Sequence, residues 1–410
     1  MAVVEKFGKY LLLDNIAEGG MATIRRAKFL DKVVIIKMIK SNFASDIKFK
    51  NMFIDEIKTS FALTHPNIAQ IYDYGEKDNE LFCAMEYVSG NNLRDFFEKC
   101  IEKEMQFPID IALYITSQVC AGLQYTHNFK DAFSGSNPQI IHRDISPNNI
   151  MISHEGNVKI IDFGIAKALT NSQKTTEVGS IKCNAGYAGP EYIRGEELDH
   201  RYDQFSVAVV LWELLAGRSL FESKDTILTL QKVKQCKAQA PSKFNKLVTG
   251  ELDKILLKAL SKDPKNRFKN IEDFGRVLTK ELYKLYPGFN PGDLKYFSEY
   301  LFADEIFLET QKCQELHNQT KNFQLIEQTK VLPLKEKSKE VKKTKTKRKV
   351  IQLNTDIHTR PITDQYQSFK LHGKIEKFKL FYMLVISLFC GFLLGENYLK
   401  EIFKSWLFGE

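Results

Sequence analysis

Asp144, Asn149 and Asp162 are the residues whose types and spacing could do chemistry. Asp144 stands five residues before Asn149 in the run His142-Arg143-Asp144-Ile145-Ser146-Pro147-Asn148-Asn149. Asp162 opens Asp162-Phe163-Gly164 after a short apolar run. A positioned carboxylate can take the proton of an acceptor hydroxyl. A second carboxylate and an amide oxygen suit a hard divalent cation. That is the equipment of phosphoryl transfer, in which catalysis is mostly positioning and neutralisation of charge. An ordinary polar loop followed by a turn requires neither this order nor this spacing.

Such residues need a scaffold. Residues 10–93 alternate short β-branched runs with one helical stretch. The runs 11–15, 23–29, 33–39, 68–74 and 81–86 predict strands, and 48–63 predicts a helix with Met52, Ile57, Phe61 and Leu63 roughly on one side. From 93 to about 286 the pattern turns helical, as at 109–127, 203–215 and 252–260, while short strands at 150–153 and 158–161 flank the charged loop. A small β-rich lobe followed by a large α-rich lobe is an α+β, bilobal arrangement.

With these motifs in this order, residues 7–285 resemble the eukaryotic-type serine/threonine protein kinases, and particularly their bacterial members. The resemblance implies a small lobe over 7–88 and a large lobe over 89–285. It implies ATP and Mg²⁺ (or Mn²⁺), with Asn149 and Asp162 on the metal and Asp144 as base for the acceptor hydroxyl. His142 is then a structural residue of the loop. Ile16, Ala17, Gly19, Gly20, Ala22 and Ile24 resemble the loop that covers the phosphates, although Ala17 and Ala22 stand where its first and third glycines would be. Lys37 ends an apolar strand as the family's lysine does, and Glu56 on the next helix is its expected ion-pair partner. Leu81 to Gly90 resembles the strand and hinge, with Met85 as gatekeeper and the backbones of Glu86 and Val88 on the adenine edge. Met151 would be the pocket floor; simple core packing is the other reading of these apolar residues. Gly189-Pro190-Glu191 resembles the family's Ala-Pro-Glu, Asp203 its brace of the catalytic loop, and Arg267 the partner of Glu191.

Four further positions depart from the family pattern. Ser146 replaces a phosphate-contacting lysine, Asn184 a threonine, Gly189 an alanine and Ala208 a common helix glycine. Ser146 and Asn184 touch the places that separate Ser/Thr from Tyr acceptors, whereas Pro147 favours Ser/Thr. Losing the lysine charge predicts slower turnover, not a dead enzyme. Arg143 beside Asp144 suggests regulation by a phosphate between 162 and 191. That segment holds Thr170, Ser172, Thr175, Thr176 and Ser180, and autophosphorylation is expected on Thr175 or Thr176.

Composition bounds the rest. The chain has 410 residues, 43% hydrophobic, with net charge +8. Residues 335–349 hold nine basic residues against Glu336 and Glu340, which leaves about +1 for everything else. The globular part therefore has no basic bias toward nucleic acid, and none is expected as a partner. Seven scattered cysteines without metal-ligand spacing read as free thiols in a reducing compartment.

Residues 286–317 read as a helical extension and 318–379 as a basic, disordered linker. Residues 380–395 carry no charge, and 396–410 form a short tail. Sixteen residues of helix span about 24 Å against a hydrocarbon core of about 30 Å. A single membrane span with the lobes on the cytoplasmic side is the expectation, since the basic run lies N-terminal to it. A buried or an interfacial helix is the competing reading. The basic linker would then attract anionic lipid, or be merely solvated. The expected function is a membrane-anchored protein kinase acting on protein substrates, with self-association into a homodimer as one route for its signal. The alternative is a weakly active or inactive nucleotide-binding scaffold.

Overall fold

Alternating apolar side chains build the small lobe. Among the described residues its strands are β1 (Glu5–Phe7), β2 (Tyr10–Glu18), β3 (Ala22–Phe29), β4 (Lys32–Ile39), β5 (Ile71–Lys77) and β6 (Glu80–Glu86), in the order β1-β2-β3-β4-β6-β5 and antiparallel throughout. The structure is a computed structural model. It describes residues 4–20, 22–40, 47–78, 80–131, 135, 139–162 and 185–330, with backbone alone at 47–49, 52, 55, 56, 59 and 322–330. Period-two alternation gives the sheet two apolar faces. One gathers Phe7, Tyr10, Leu12, Ala27, Val34 and Ile36. The other gathers Ile39, Ile71, Leu81 and Cys83 beneath Phe53 and Ile57 of helix α1 (Ile47–Phe61).

The strand expected at 68–74 lies at Ile71–Lys77 instead. Ile68 is buried for another reason. It bridges to Ile160 in the large lobe, where Ala69 N donates to Ile160 O at 2.9 Å and Ile160 N to Asn67 O at 2.9 Å. An apolar residue that looks like the start of a strand thus serves as a tie between lobes.

The large lobe opens with a small antiparallel sheet, β7 (Gly90–Asn92), β8 (Ile150–Ser153) and β9 (Val158–Ile160). Around it lie α2 (Leu93–Glu102), α3 (Ile109–His127), α4 (Pro190–Ile193), α5 (Arg201–Ala216), α6 (Thr226–Gln235), α7 (Gly250–Ala259), α8 (Ile271–Leu285) and α9 (Asp293–Lys330). Helix α2 starts at a capping box: Asp95 N donates to Asn92 Oδ1, and Asn92 N to the Asp95 carboxylate. This fixes the chain where it leaves β7. Gly90 is required there, because a Cβ would run into the Ile152 carbonyl across the sheet. Helix α5 is apolar on almost every side and forms the centre of the lobe with α3.

Helix α9 corrects the boundary drawn at 317. It runs on to Lys330, through residues whose composition suggested a disordered linker. Leu316 is 4% exposed and Thr320 fully buried, so this part of the helix has a docking face that its polar average conceals. The remaining linker, the segment 380–395 and the tail lie outside the described residues. Among the described residues no helix is long and apolar enough to cross a membrane.

Candidate active site

The loop from His142 to Asn149 is held by a single buried carboxylate. Asp203, at the start of α5, is 0% exposed. Its oxygens accept from His142 N (2.8 Å), Arg143 N (2.9 Å) and the His127 ring (Nε2, 2.8 Å). Burial pushes the Asp203 carboxyl up, but these donors outweigh it and hold the group below the usual carboxylate range. The brace matters because the loop is strained. Arg143 has φ 64° and Asp162 φ 54°, left-handed values that cost non-glycine residues on the order of 1–3 kcal/mol each.

His142 is buried, and both ring nitrogens are committed. Nδ1 lies 3.2 Å from the Asp144 amide, and Nε2 3.2 Å from Ile161 O. An amide can only donate and a carbonyl only accept, so the ring is neutral, with its proton on Nε2. Burial pushes its pKa below the ordinary value of 6.5. Its folded pKa is therefore lower than its unfolded one. Below about pH 6.5 the unfolded chain takes up a proton that the folded ring refuses, so stability falls with pH. The loss approaches about 1.4 kcal/mol per pH unit. Urea unfolding at pH 7 and pH 5.5 should show it, and His142→Asn should shrink the difference. An unchanged difference would assign the effect elsewhere, first to His65, whose pKa burial also lowers.

Asn149 is fixed against Asp144. Its Nδ2 donates to the Asp144 carbonyl (2.8 Å) and carboxylate (Oδ2, 3.0 Å). Asp162 comes to the same place from the end of β9, and its Oδ1 accepts from Lys37 Nζ at 2.8 Å. Burial alone would lower the Lys37 ammonium. The adjacent Asp162 carboxylate reverses that, and the net shift is upward. Lys37 thus pairs with Asp162, while the Glu56 side chain expected as its partner lies outside the described residues. Ser146 is buried, and its hydroxyl has no hydrogen-bond partner among the described residues.

A cavity of about 540 Å³ lies over Lys37 and Asp162. Of the residues expected around a nucleotide, Ile16, Ile24, Lys37, Met85, Glu86, Val88 and Met151 line it. Ala17, Gly19, Gly20 and Ala22 do not. Ala17 lies in β2 and Ala22 opens β3, with Gly19 and Gly20 in the turn between them, where Gly19 N donates to Ala22 O at 2.9 Å. Leu308, Glu309 and Lys312 of α9 also line the cavity and had not been expected there. Glu309 accepts from Tyr87 of the hinge and pairs with His154 at 3.3 Å; Arg26 of β3 lies 3.6 Å away. Lys312 pairs with Asp14 of β2 at 2.6 Å.

Below the catalytic loop, Arg267 grips Glu191 with two bonds of 2.7 Å, both side chains buried. Gly189, where the family has alanine, leaves no room for a Cβ in this arrangement. A Cβ there would lie 2.6 Å from the Glu191 carboxylate, which Arg267 prevents from moving away.

The sequence profile of the protein kinase domain matches residues 10–275. The chain belongs to the protein kinase family. It is 31% identical over 326 residues to tyrosine-protein kinase MasK of Myxococcus xanthus, covering 78% of this chain and 50% of MasK. It is 35% identical over 268 residues to serine/threonine-protein kinase PrkC of Bacillus subtilis, covering 65% of this chain and 39% of PrkC. The chain thus spans about half or less of the length of these curated relatives. The crystal structure of the Mycobacterium tuberculosis PknI kinase domain is similar in fold, with TM-score 0.53 at 24% identity over 68% of this chain and 98% of that one. Within a kinase, the donors around Asp162 fit Mg²⁺. One carboxylate and one amide oxygen make a partial oxygen set that phosphate oxygens complete, as this ion prefers.

Proposed function

We propose that the chain transfers the γ-phosphoryl group of ATP to serine or threonine hydroxyls of proteins. One observation carries this reading: an ammonium, two carboxylates and an amide from three segments gather between the lobes as two bonded pairs, Lys37 with Asp162 at 2.8 Å and Asn149 with Asp144 at 2.8 and 3.0 Å, and the Asp144 charge reaches the Lys37 ammonium. Adenine would lie against Ile16, Met85 and Met151, with the hinge backbone from Glu86 to Val88 along its edge. Lys37 would turn from Asp162 to the α- and β-phosphates. Asn149 and Asp162 would hold Mg²⁺, which supplies charge neutralisation at the phosphate oxygens. Asp144, oriented by Asn149, accepts the proton of the attacking hydroxyl as its oxygen bonds to phosphorus and ADP leaves. No further proton donor is needed, because the leaving phosphate is already anionic.

Serine or threonine as acceptor is supported by Pro147, buried in the turn between Asp144 and Asn149, and by likeness to PrkC. MasK, a tyrosine kinase by name, makes the acceptor worth measuring. Attachment to a membrane through 380–395 and control by phosphate on Thr175 or Thr176 rest on the sequence alone. Both segments lie outside the described residues. The test is incubation of the full chain with labelled ATP, Mg²⁺ and a general acceptor protein, followed by phosphoamino-acid analysis. Label on serine or threonine, lost in Asp162→Ala, is expected. Tight ATP binding with no transfer at all would favour a scaffold instead.

A further inference from the structure

Helix α9 is anchored on the large lobe, where Phe297 packs against Phe107 (centroids 5.4 Å apart) and Phe302 edge-on against Phe96 (4.7 Å). Helical geometry breaks at Phe302, with φ −125° and ψ 25°. Beyond that break, Glu309 and Lys312 reach the hinge and the small lobe. One helix is therefore fastened to the large lobe, the hinge and the small lobe.

Within this stretch Leu308 has no core role. It is 62% exposed, yet it lines the same cavity as Ile16, itself 45% exposed. Two large apolar side chains bordering one cleft, both open to solvent, form a surface that an apolar ring would cover. Phe307, one residue earlier and equally exposed, does not line the cavity.

We propose that α9 is part of the nucleotide site, with Leu308 as a contact for the adenosine moiety and Glu309 as the positioning residue that holds the helix to the hinge. The inference rests on the cleft being the ATP site. It adds to that reading a wall lying outside the matched kinase domain, and so one that other kinases need not share. Burial of Leu308 against the base would strengthen adenosine and ATP binding equally, because the contact is remote from the phosphates. Glu309 is suited to its part: its carboxyl is held below the usual range, chiefly by the His154 bond, so it stays ionised for Tyr87 and Arg26.

The test is titration of the full chain with adenosine and with Mg-ATP, alongside transfer kinetics. Leu308→Ala should weaken both ligands about five- to tenfold, the worth of the apolar surface removed. It should raise KM for ATP with kcat within about twofold. Leu308→Met should restore binding, and Phe307→Ala should leave it unchanged. Leu308→Ala binding both ligands as wild type does, or Phe307→Ala weakening them as much, would overturn the inference while leaving the kinase reading intact. Wild type that binds neither adenosine nor ATP would overturn both. Because Leu308 is exposed, its truncation opens no cavity, and matching thermal midpoints would verify that the variants are folded.

Discussion

Asp144→Asn should slow phosphoryl transfer by about 10²- to 10⁴-fold, the range spanned by a positioned general base. The substitution keeps shape and removes the proton acceptor. Asn149 can still donate to the residue 144 carbonyl, and a side-chain oxygen remains for its second bond. The loop stays braced, because Asp203 holds the backbone amides of His142 and Arg143, which the substitution leaves in place. ATP affinity should stay within about twofold, since Asp144 does not line the cavity. Asp162→Ala should behave differently. It strips a half-buried ammonium of a close partner and removes a candidate metal ligand, so binding and transfer should fall together. Single-turnover transfer, combined with nucleotide titration, separates the two patterns. Transfer by Asp144→Asn at the wild-type rate would end the assignment of Asp144 as base.

Much of this site was legible because its chemistry is local. Asp144, Asn149 and Asp162 lie within one loop and one short hairpin, so their spacing in sequence nearly fixes their spacing in space. Lys37 was legible from its place after an apolar run, but its bond to Asp162 was not. Which carboxylate it meets depends on how the lobes close, and Asp162 comes from 125 residues away. The glycine turn was recognisable as a hairpin, whereas its distance from the cavity is set by the sheet and not by the glycines. Helix α9 shows the limit most clearly. Its periodicity predicts a helix, but periodicity does not say where a helix docks. The bond from Tyr87 to Glu309 joins residues 222 apart, and that from Arg26 to Cys313 residues 287 apart. Around 317, polar residues dominate the average and hide the buried face marked by Leu316 and Thr320.

The second large effect concerns stability. Arg267→Ala should cost about 3–5 kcal/mol, because it leaves the Glu191 carboxylate buried without a counter-ion. The guanidinium also donates to the Ser261 and Arg201 carbonyls at 2.9 Å each and lies over the Phe205 ring, so α4, α5 and the chain just after α7 lose a common tie. Against a typical domain stability of about 5–15 kcal/mol, that loss leaves the large lobe marginal. Arg267→Lys should recover only part of it. An ammonium keeps the charge but cannot make two parallel bonds to one carboxylate while also reaching both carbonyls. Replacing both partners, as in Glu191→Leu with Arg267→Met, should be milder than Arg267→Ala alone, since no charge is then stranded in the core. Urea unfolding of the full chain gives these differences directly. A loss below about 1 kcal/mol for Arg267→Ala would mean that water reaches Glu191 and the pair does not hold the lobe, in which case the close approach at Gly189 should also tolerate alanine.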